Sequence, residues 1–437
     1  MKNLTLPRIA ATLCLKLTLV IFFLGSCSDK CEVTNTYTYF EPVYSTKAEV
    51  KALIGIKEPQ PISNAGRIYF KDGILFINES GKGIHIIDNH DPASPTPLSF
   101  LNIPGNYDLS IIGSTLYADS FVDLVAFDIA DLQAIKEVGR MEGLFNHYST
   151  LGFKADDAKG LITDWKEVKK VDVTESSCES QMQAWGGIYY ENGIALDAVG
   201  ASNFSAKTAL APTTTTTGIG GSMARFTITS NRLYALDDTY LDIVDVGNPQ
   251  ALIQKNEIKL GWWPETLFPV GETLFIGTRA GLYIYDLESP DQPKQLSAYE
   301  HIISCDPVVV EGDYAFVTLY DGGICHNNTN QLEVINVSNL SAPVLAKVYP
   351  FTNPHGLGID NGILFICDGD AGLKIFDASD VNTITDKPLA HYPNINALDI
   401  IPYNNVAMMI GADGLYQYDY ADIRNIKLLS KISIVPQ

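Results

Sequence analysis

A strand-like hexapeptide of the form x-Leu-x-Ile-x-Asp returns along this chain at intervals of about 40 residues, and few folds accommodate such a period. The copies are Gly83-Ile84-His85-Ile86-Ile87-Asp88, Asp123-Leu124-Val125-Ala126-Phe127-Asp128 and Tyr240-Leu241-Asp242-Ile243-Val244-Asp245. They continue as Gly281-Leu282-Tyr283-Ile284-Tyr285-Asp286, Gln331-Leu332-Glu333-Val334-Ile335-Asn336, Gly372-Leu373-Lys374-Ile375-Phe376-Asp377 and Gly414-Leu415-Tyr416-Gln417-Tyr418-Asp419. Their apolar strands begin at 84, 124, 241, 282, 332, 373 and 415, with spacings of 40, 117, 41, 50, 41 and 42. A unit of this length with room for four short strands predicts an all-β fold, a β-propeller of four-stranded antiparallel blades. Seven motifs predict about seven blades, or eight if a degenerate unit near 143–173, inside the long gap, is a full blade. The 22 Tyr, 18 Phe and 34 Gly favour strands and tight turns in the same way.

Each unit has one internal order. A first strand reaches a turn such as Lys71-Asp72-Gly73 or Asp360-Asn361-Gly362, and a very apolar second strand follows, as in Ile74-Leu75-Phe76-Ile77. The motif is the third strand. A turn rich in Asp and Pro, such as Asp91-Pro92-Ala93-Ser94-Pro95, then leads to an outer strand. Asp bonds its own following backbone and Pro presets φ, so the repeated Asp88, Asp128, Asp245, Asp286, Asp377 and Asp419 are read as turn caps. Residues 174–222 are an irregular insertion that ends in five threonines and Gly218-Ile219-Gly220-Gly221. Before the repeats, Thr46 and Glu49 have capping-box spacing for a short helix.

These motifs, with Ser304-Cys305-Asp306-Pro307-Val308-Val309-Val310 and Cys367-Asp368-Gly369-Asp370-Ala371-Gly372-Leu373, resemble those of LVIVD-repeat lipoproteins over about residues 60–435. The resemblance implies a β-propeller carried on an envelope lipoprotein and supplies no biochemical activity. Asn336 in place of the motif Asp, and Gln417 in the last copy, are departures that concern only local turn and strand packing.

The first residues read as a targeting segment. Lys2 and Arg8 precede a mostly apolar run from Ile9 to Leu24, and Leu24-Gly25-Ser26-Cys27 resembles a lipobox. The expected organisation is a lipoprotein signal peptide at 1–26, a lipidated tether and short helix at 27–60, and the propeller at 61–437. Cys27 is the predicted lipidation site, and the expected localisation is exported, as an outer-membrane lipoprotein held by its lipid, with surface exposure left open. Removing residues 1–26 takes away three cations and no acids, so 27 cations face 51 acids, a net charge of −24. That charge speaks against nucleic acid and anionic membrane surfaces as partners. Five cysteines remain beyond Cys27, an odd number; Cys305 and Cys325 flank one hairpin and are the disulfide candidate.

Aligning the units on their second strands places Gly66, Tyr107, Ala224, Glu265, Asp306, His355 and Leu398 in one column at the channel mouth. Glu265, Asp306 and His355 come from consecutive blades and, with Tyr107, Trp262 and Trp263, are the ligand-binding candidates. No catalytic motif and no metal-ligand spacing appears, so no cofactor is predicted; Asp368 and Asp370 are a possible calcium ligand pair, with fewer oxygens than a calcium loop needs, and the turn reading of Asp-Gly is favoured. The favoured function is a binding module for a protein, peptide or glycan ligand. The alternatives are a propeller enzyme of hydrolase or lyase type, and a structural component of an envelope complex.

Overall fold

The computed structural model describes residues 30–147, 158–177, 217–261, 263–301, 307–321 and 329–435. Cys27, Trp262, Cys305, Asp306 and Cys325 lie outside the described residues. The chain divides into two units, one of Met1–Val43 with Asp164–Gly200 and one of Tyr44–Thr163 with Ala201–Gln437.

The smaller unit is built on a two-stranded sheet of Lys30–Ser45 and Leu161–Ser177. Alternating Thr and Tyr from Thr34 to Tyr39 favour an extended, pleated chain. Tyr37 donates from its hydroxyl to Asp172 Oδ2 at 2.9 Å, and Lys170 Nζ lies 5.5 Å from the Tyr37 ring centre. The described part of the unit near 143–173 therefore pairs with an N-terminal strand rather than forming a blade, and the eight-blade alternative is corrected to seven. The apolar pattern of that stretch is the pattern of any strand and does not specify its partner.

The larger unit carries seven four-stranded antiparallel sheets at 65–102, 109–141, 226–259, 264–300, 308–350, 357–392 and 397–433, here blades 1 to 7. All four strands of each blade are consecutive in sequence. Blade 1 gains a fifth strand on its outer edge, Gly55–Lys57 against Thr96–Asn102, and a short one on its inner edge, Ile219–Gly220 against Ala65–Lys71. The first strands of neighbouring blades touch in order, and that of blade 7 returns to that of blade 1. Val435 N donates to Ile62 O at 2.9 Å where the ring closes.

Seven apolar clusters explain the closure. One lies between each pair of neighbouring blades, for example Phe76, Ile84 and Leu101 against Leu109, Leu116 and Phe127 between blades 1 and 2. The seventh packs Ile401, Met408 and Leu415 of blade 7 on Ile68, Leu75 and Ile77 of blade 1. Successive side chains of a strand point to opposite faces, and each face meets a different neighbour, so the inner strands are apolar on both faces over most of their length.

The turn reading of the motif Asp is met in every blade. Asp88, Asp128, Asp245, Asp286, Asn336, Asp377 and Asp419 each accept, through Oδ1, the amide of the residue two further on, at 2.8–3.1 Å. Asn336 makes this bond with its amide oxygen, so the departure costs nothing locally. Ahead of the blades, Thr46 caps the helix Lys47–Leu53 with both halves of the capping box in place.

Candidate functional site

The ring of first strands is threaded by the chain itself. Thr217 bridges Ile112, at the trailing end of the first strand of blade 2, and Gly218 N donates to Ile111 O. Gly221 N donates to Ile68 O in blade 1; Ser222 Oγ donates to Asp399 Oδ1 in blade 7 at 2.8 Å and accepts from Leu357 N in blade 6. Met223 O accepts from Arg67 Nε, and Ala224 O from Leu267 N in blade 4. A segment bonded to the innermost strands of five blades runs along the axis. Glycine is required here: a Cβ on Gly218 would lie 2.3 Å from the Tyr69 ring, and one on Gly221 2.0 Å from Asp399 Oδ2.

Around this segment the residues that converge are one position beyond the column expected from sequence. They are Asp108 and Arg225, immediately before the first strands of blades 2 and 3, and Arg67 and Asp399, the third residues of those of blades 1 and 7. Asp108 Oδ2 lies 3.4 Å from Arg67 Nε and accepts the backbone amides of Arg225 and Phe226. Asp119 Oδ1 gathers Asn106 Nδ2 at 2.7 Å, Tyr107 N at 2.8 Å and Asp108 N at 2.9 Å. Burial pushes the Asp119 carboxyl up to about 6, with a smaller push from the charge of Asp108. Burial also raises Asp108 and Asp237, and lowers Arg225.

Between blades 2 and 3 this network opens into a small cavity of roughly 20 Å³, space for about one hydroxyl-sized group. Its polar lining is Asp108, Asp119, Arg225 and Asp237, and its apolar lining is Tyr107, Phe121, Phe145, Phe226 and Leu236. Arg225 Nη2 donates to Leu236 O, and Asp237 Oδ2 accepts His147 N at 2.8 Å. The other atoms of the pair, Arg225 Nε and Asp237 Oδ1, are buried and have no hydrogen-bond partner in the protein. Asp237 is only 2% exposed, so the pair is a departure from the rule that buried polar atoms are bonded.

The aromatic lining carries a second departure. Phe121 has φ of 55°, a left-handed conformation that costs a bulky residue about 1–3 kcal/mol. Its ring lies over Gly105, where any Cβ would fall 2.5 Å from Phe121 Cγ. Phe145 stacks on Phe226 at 5.5 Å behind it, while Tyr107 stands 38% exposed at the rim.

Of the residues expected from sequence, Tyr107 is on this cavity. Glu265 and Trp263 meet around Arg279, whose Nε is 2.8 Å from Glu265 Oε1 and whose guanidinium carbon is 5.4 Å from the Trp263 ring centre. His355 lies with its ring 4.5 Å from that of Tyr320, and burial lowers its pKa against the opposing charges of Asp368 and Asp370. Asp368, one of the two acids weighed for calcium, is fully buried and accepts from Thr352 N, Asn353 N and Lys374 Nζ. Among the described residues no group of three or more His, Cys, Asp or Glu could hold a metal ion. Cys367 is a free, fully buried thiol that burial pushes up in pKa.

The LVIVD repeat family matches this chain at residues 228–258 and 304–350. No curated protein matches the sequence significantly. Among solved structures, the computationally designed Ika8 protein is similar at 10% identity and a TM-score of 0.49, over 87% of this chain and 91% of its own. BamB from Moraxella catarrhalis is similar at 8% identity and 0.47, over 88% and 97%. Kluyveromyces lactis Hsv2 is similar at 10% identity and 0.47, over 85% and 100%. The protein is a seven-bladed β-propeller that carries LVIVD repeats.

Proposed function

We propose that this protein is an exported lipoprotein that displays its propeller as a binding module, with the ligand seated at the mouth between blades 2 and 3. The observation that carries the binding reading is the cavity there, where a buried donor and a buried acceptor of Arg225 and Asp237 have no protein partner. Other buried atoms, such as Asp242 Oδ2, are unmatched singly; here a donor and an acceptor belong to two residues lining one cavity, and each unbonded buried group costs about 1–3 kcal/mol. The strained Phe121 at the same mouth supports the reading independently.

The enzyme reading has less behind it. Glu265 is taken up by Arg279, and His355 packs its ring beside that of Tyr320. Export and lipidation rest on the residues around Cys27.

Ligand-observed NMR with a mixed library of neutral, cationic and anionic fragments tests the site. Some class should give signals that vanish in the Tyr107→Ala, Phe121→Ala double variant; hits that survive in full contradict the location. Labelled palmitate should enter the parent and not Cys27→Ala, and equal labelling of both overturns lipidation there.

A further inference from the structure

We infer that the mouth between blades 2 and 3 takes a neutral sugar, which inserts one hydroxyl between Arg225 Nε and Asp237 Oδ1 and lays an apolar ring face on Phe121 and Tyr107. This rests on the binding reading above and names its ligand.

The charges around the cavity, three carboxylates against the guanidiniums of Arg225 and Arg67, nearly balance and give an added ion repelling neighbours whichever its sign. A carboxylate or phosphate placed at Arg225 Nε would stand among Asp108, Asp119 and Asp237. An ammonium or guanidinium placed at Asp237 Oδ1 would stand beside the Arg225 guanidinium, with Arg67 close behind on Asp108. Like charges in a poorly hydrated site repel strongly. A neutral group that both donates and accepts meets the two unmatched atoms without adding charge, and a hydroxyl does this in one atom.

The size and the rim narrow the class further. The cavity of roughly 20 Å³ admits about one hydroxyl and no ring. The rest of the ligand therefore lies outside, against the half-exposed Tyr107 and the Phe121 ring held over Gly105. Sugars present polar edges and apolar C–H faces, and the faces stack on aromatic rings while the hydroxyls reach charged planar groups. A simple alcohol would fill the cavity and leave the aromatic rim unused.

The test uses the propeller with its N-terminal segment and neutral methyl glycosides of glucose, galactose, mannose and N-acetylglucosamine as probes. Saturation-transfer NMR and calorimetry measure binding, with methylammonium and acetate as charged controls. At least one glycoside should bind, with transfer strongest at the protons of one ring face. Asp237→Asn and Phe121→Ala should each weaken it about tenfold or more, and Tyr107→Ala, at an exposed position, should weaken it with the fold intact. Binding of a charged control alone, lost in Phe121→Ala, overturns the sugar and leaves the binding site standing. Failure of every probe and of the fragment library, with only a fixed water between Arg225 and Asp237, overturns both.

Discussion

Three blades place a buried carboxylate at the same position, at the end of the second strand or the residue just after it: Glu79 in blade 1, Asp237 in blade 3 and Asp368 in blade 6. Glu79 is fully engaged. Its oxygens accept from Ser63 N, Ser63 Oγ, Lys82 Nζ at 2.9 Å and the ring of His85 at 2.6 Å. Asp368 is likewise engaged by two amides and Lys374. Asp237 has one amide on one oxygen and nothing on the other. The position serves the scaffold by default, tying a loop to the top of a blade. In blade 3 it is left short of partners, next to an arginine that is short of one too.

The same contrast shows in protonation. Burial works to raise Glu79, but its hydrogen bonds from Ser63, His85 and Lys82 outweigh that and hold the carboxyl down at about 2. A lowered carboxyl adds stability above its unfolded value, near 4, which is lost as pH falls toward 2. Asp237 and Asp119 are raised, Asp119 to about 6, so their sign is opposite. Stability is higher when they are protonated, and for Asp119 it is lost as pH climbs from about 4 through 6.

The largest effect should come from Glu79→Gln, which leaves His85 and Lys82 facing a neutral amide in a buried site. A loss of about 2–4 kcal/mol in denaturant unfolding is expected; a loss below about 1 kcal/mol would break the claim that this carboxylate holds the fold. Next comes Asp242, in the third strand of blade 3, which burial and the nearby Asp237 and Glu257 push up to about 8. Its Oδ2 has no partner and its Oδ1 accepts from Gln254. Asp242→Asn should therefore stabilise by about 2 kcal/mol at pH 8.5 and by little at pH 5. Equal effects at both pH values would place the charge elsewhere. Smaller again, Asp119→Asn should flatten the decline of stability between about pH 4 and 6 by about 1–2 kcal/mol. An unchanged pH profile would show that its three donors already satisfy the charged form.

What sequence revealed and what it concealed divide along range. The turn-capping Asp residues were legible because an Asx turn spans two residues, and the blade period was legible because each blade is consecutive. The axial segment was not: Thr217–Ala224 reads as the tail of an insertion, and its bonds to Asp399 and Leu357 span more than 130 residues. The site was missed by one residue. A shift of one changes which side chains reach the axis: Glu265 is taken up by Arg279 and His355 packs on Tyr320, while Arg67, Asp108 and Asp399 bond to or around the axial segment. Four charged residues at one register, Arg67, Asp108, Arg225 and Asp399, were the signal available. Phe121 carried little signal: its left-handed φ belongs to the two-residue turn between the second and third strands of blade 2, where Asp238 stands in blade 3 with φ of 53°, and nothing local marks the ring as packing over Gly105.

Denaturant unfolding of Asp237→Asn, run beside Glu79→Gln, tests most directly whether the pair in blade 3 is kept for a ligand rather than for the fold. The asparagine can still accept from His147 N, so stability within about 1 kcal/mol of the parent is expected. A loss as large as that of Glu79→Gln would contradict the account and return Asp237 to the scaffold.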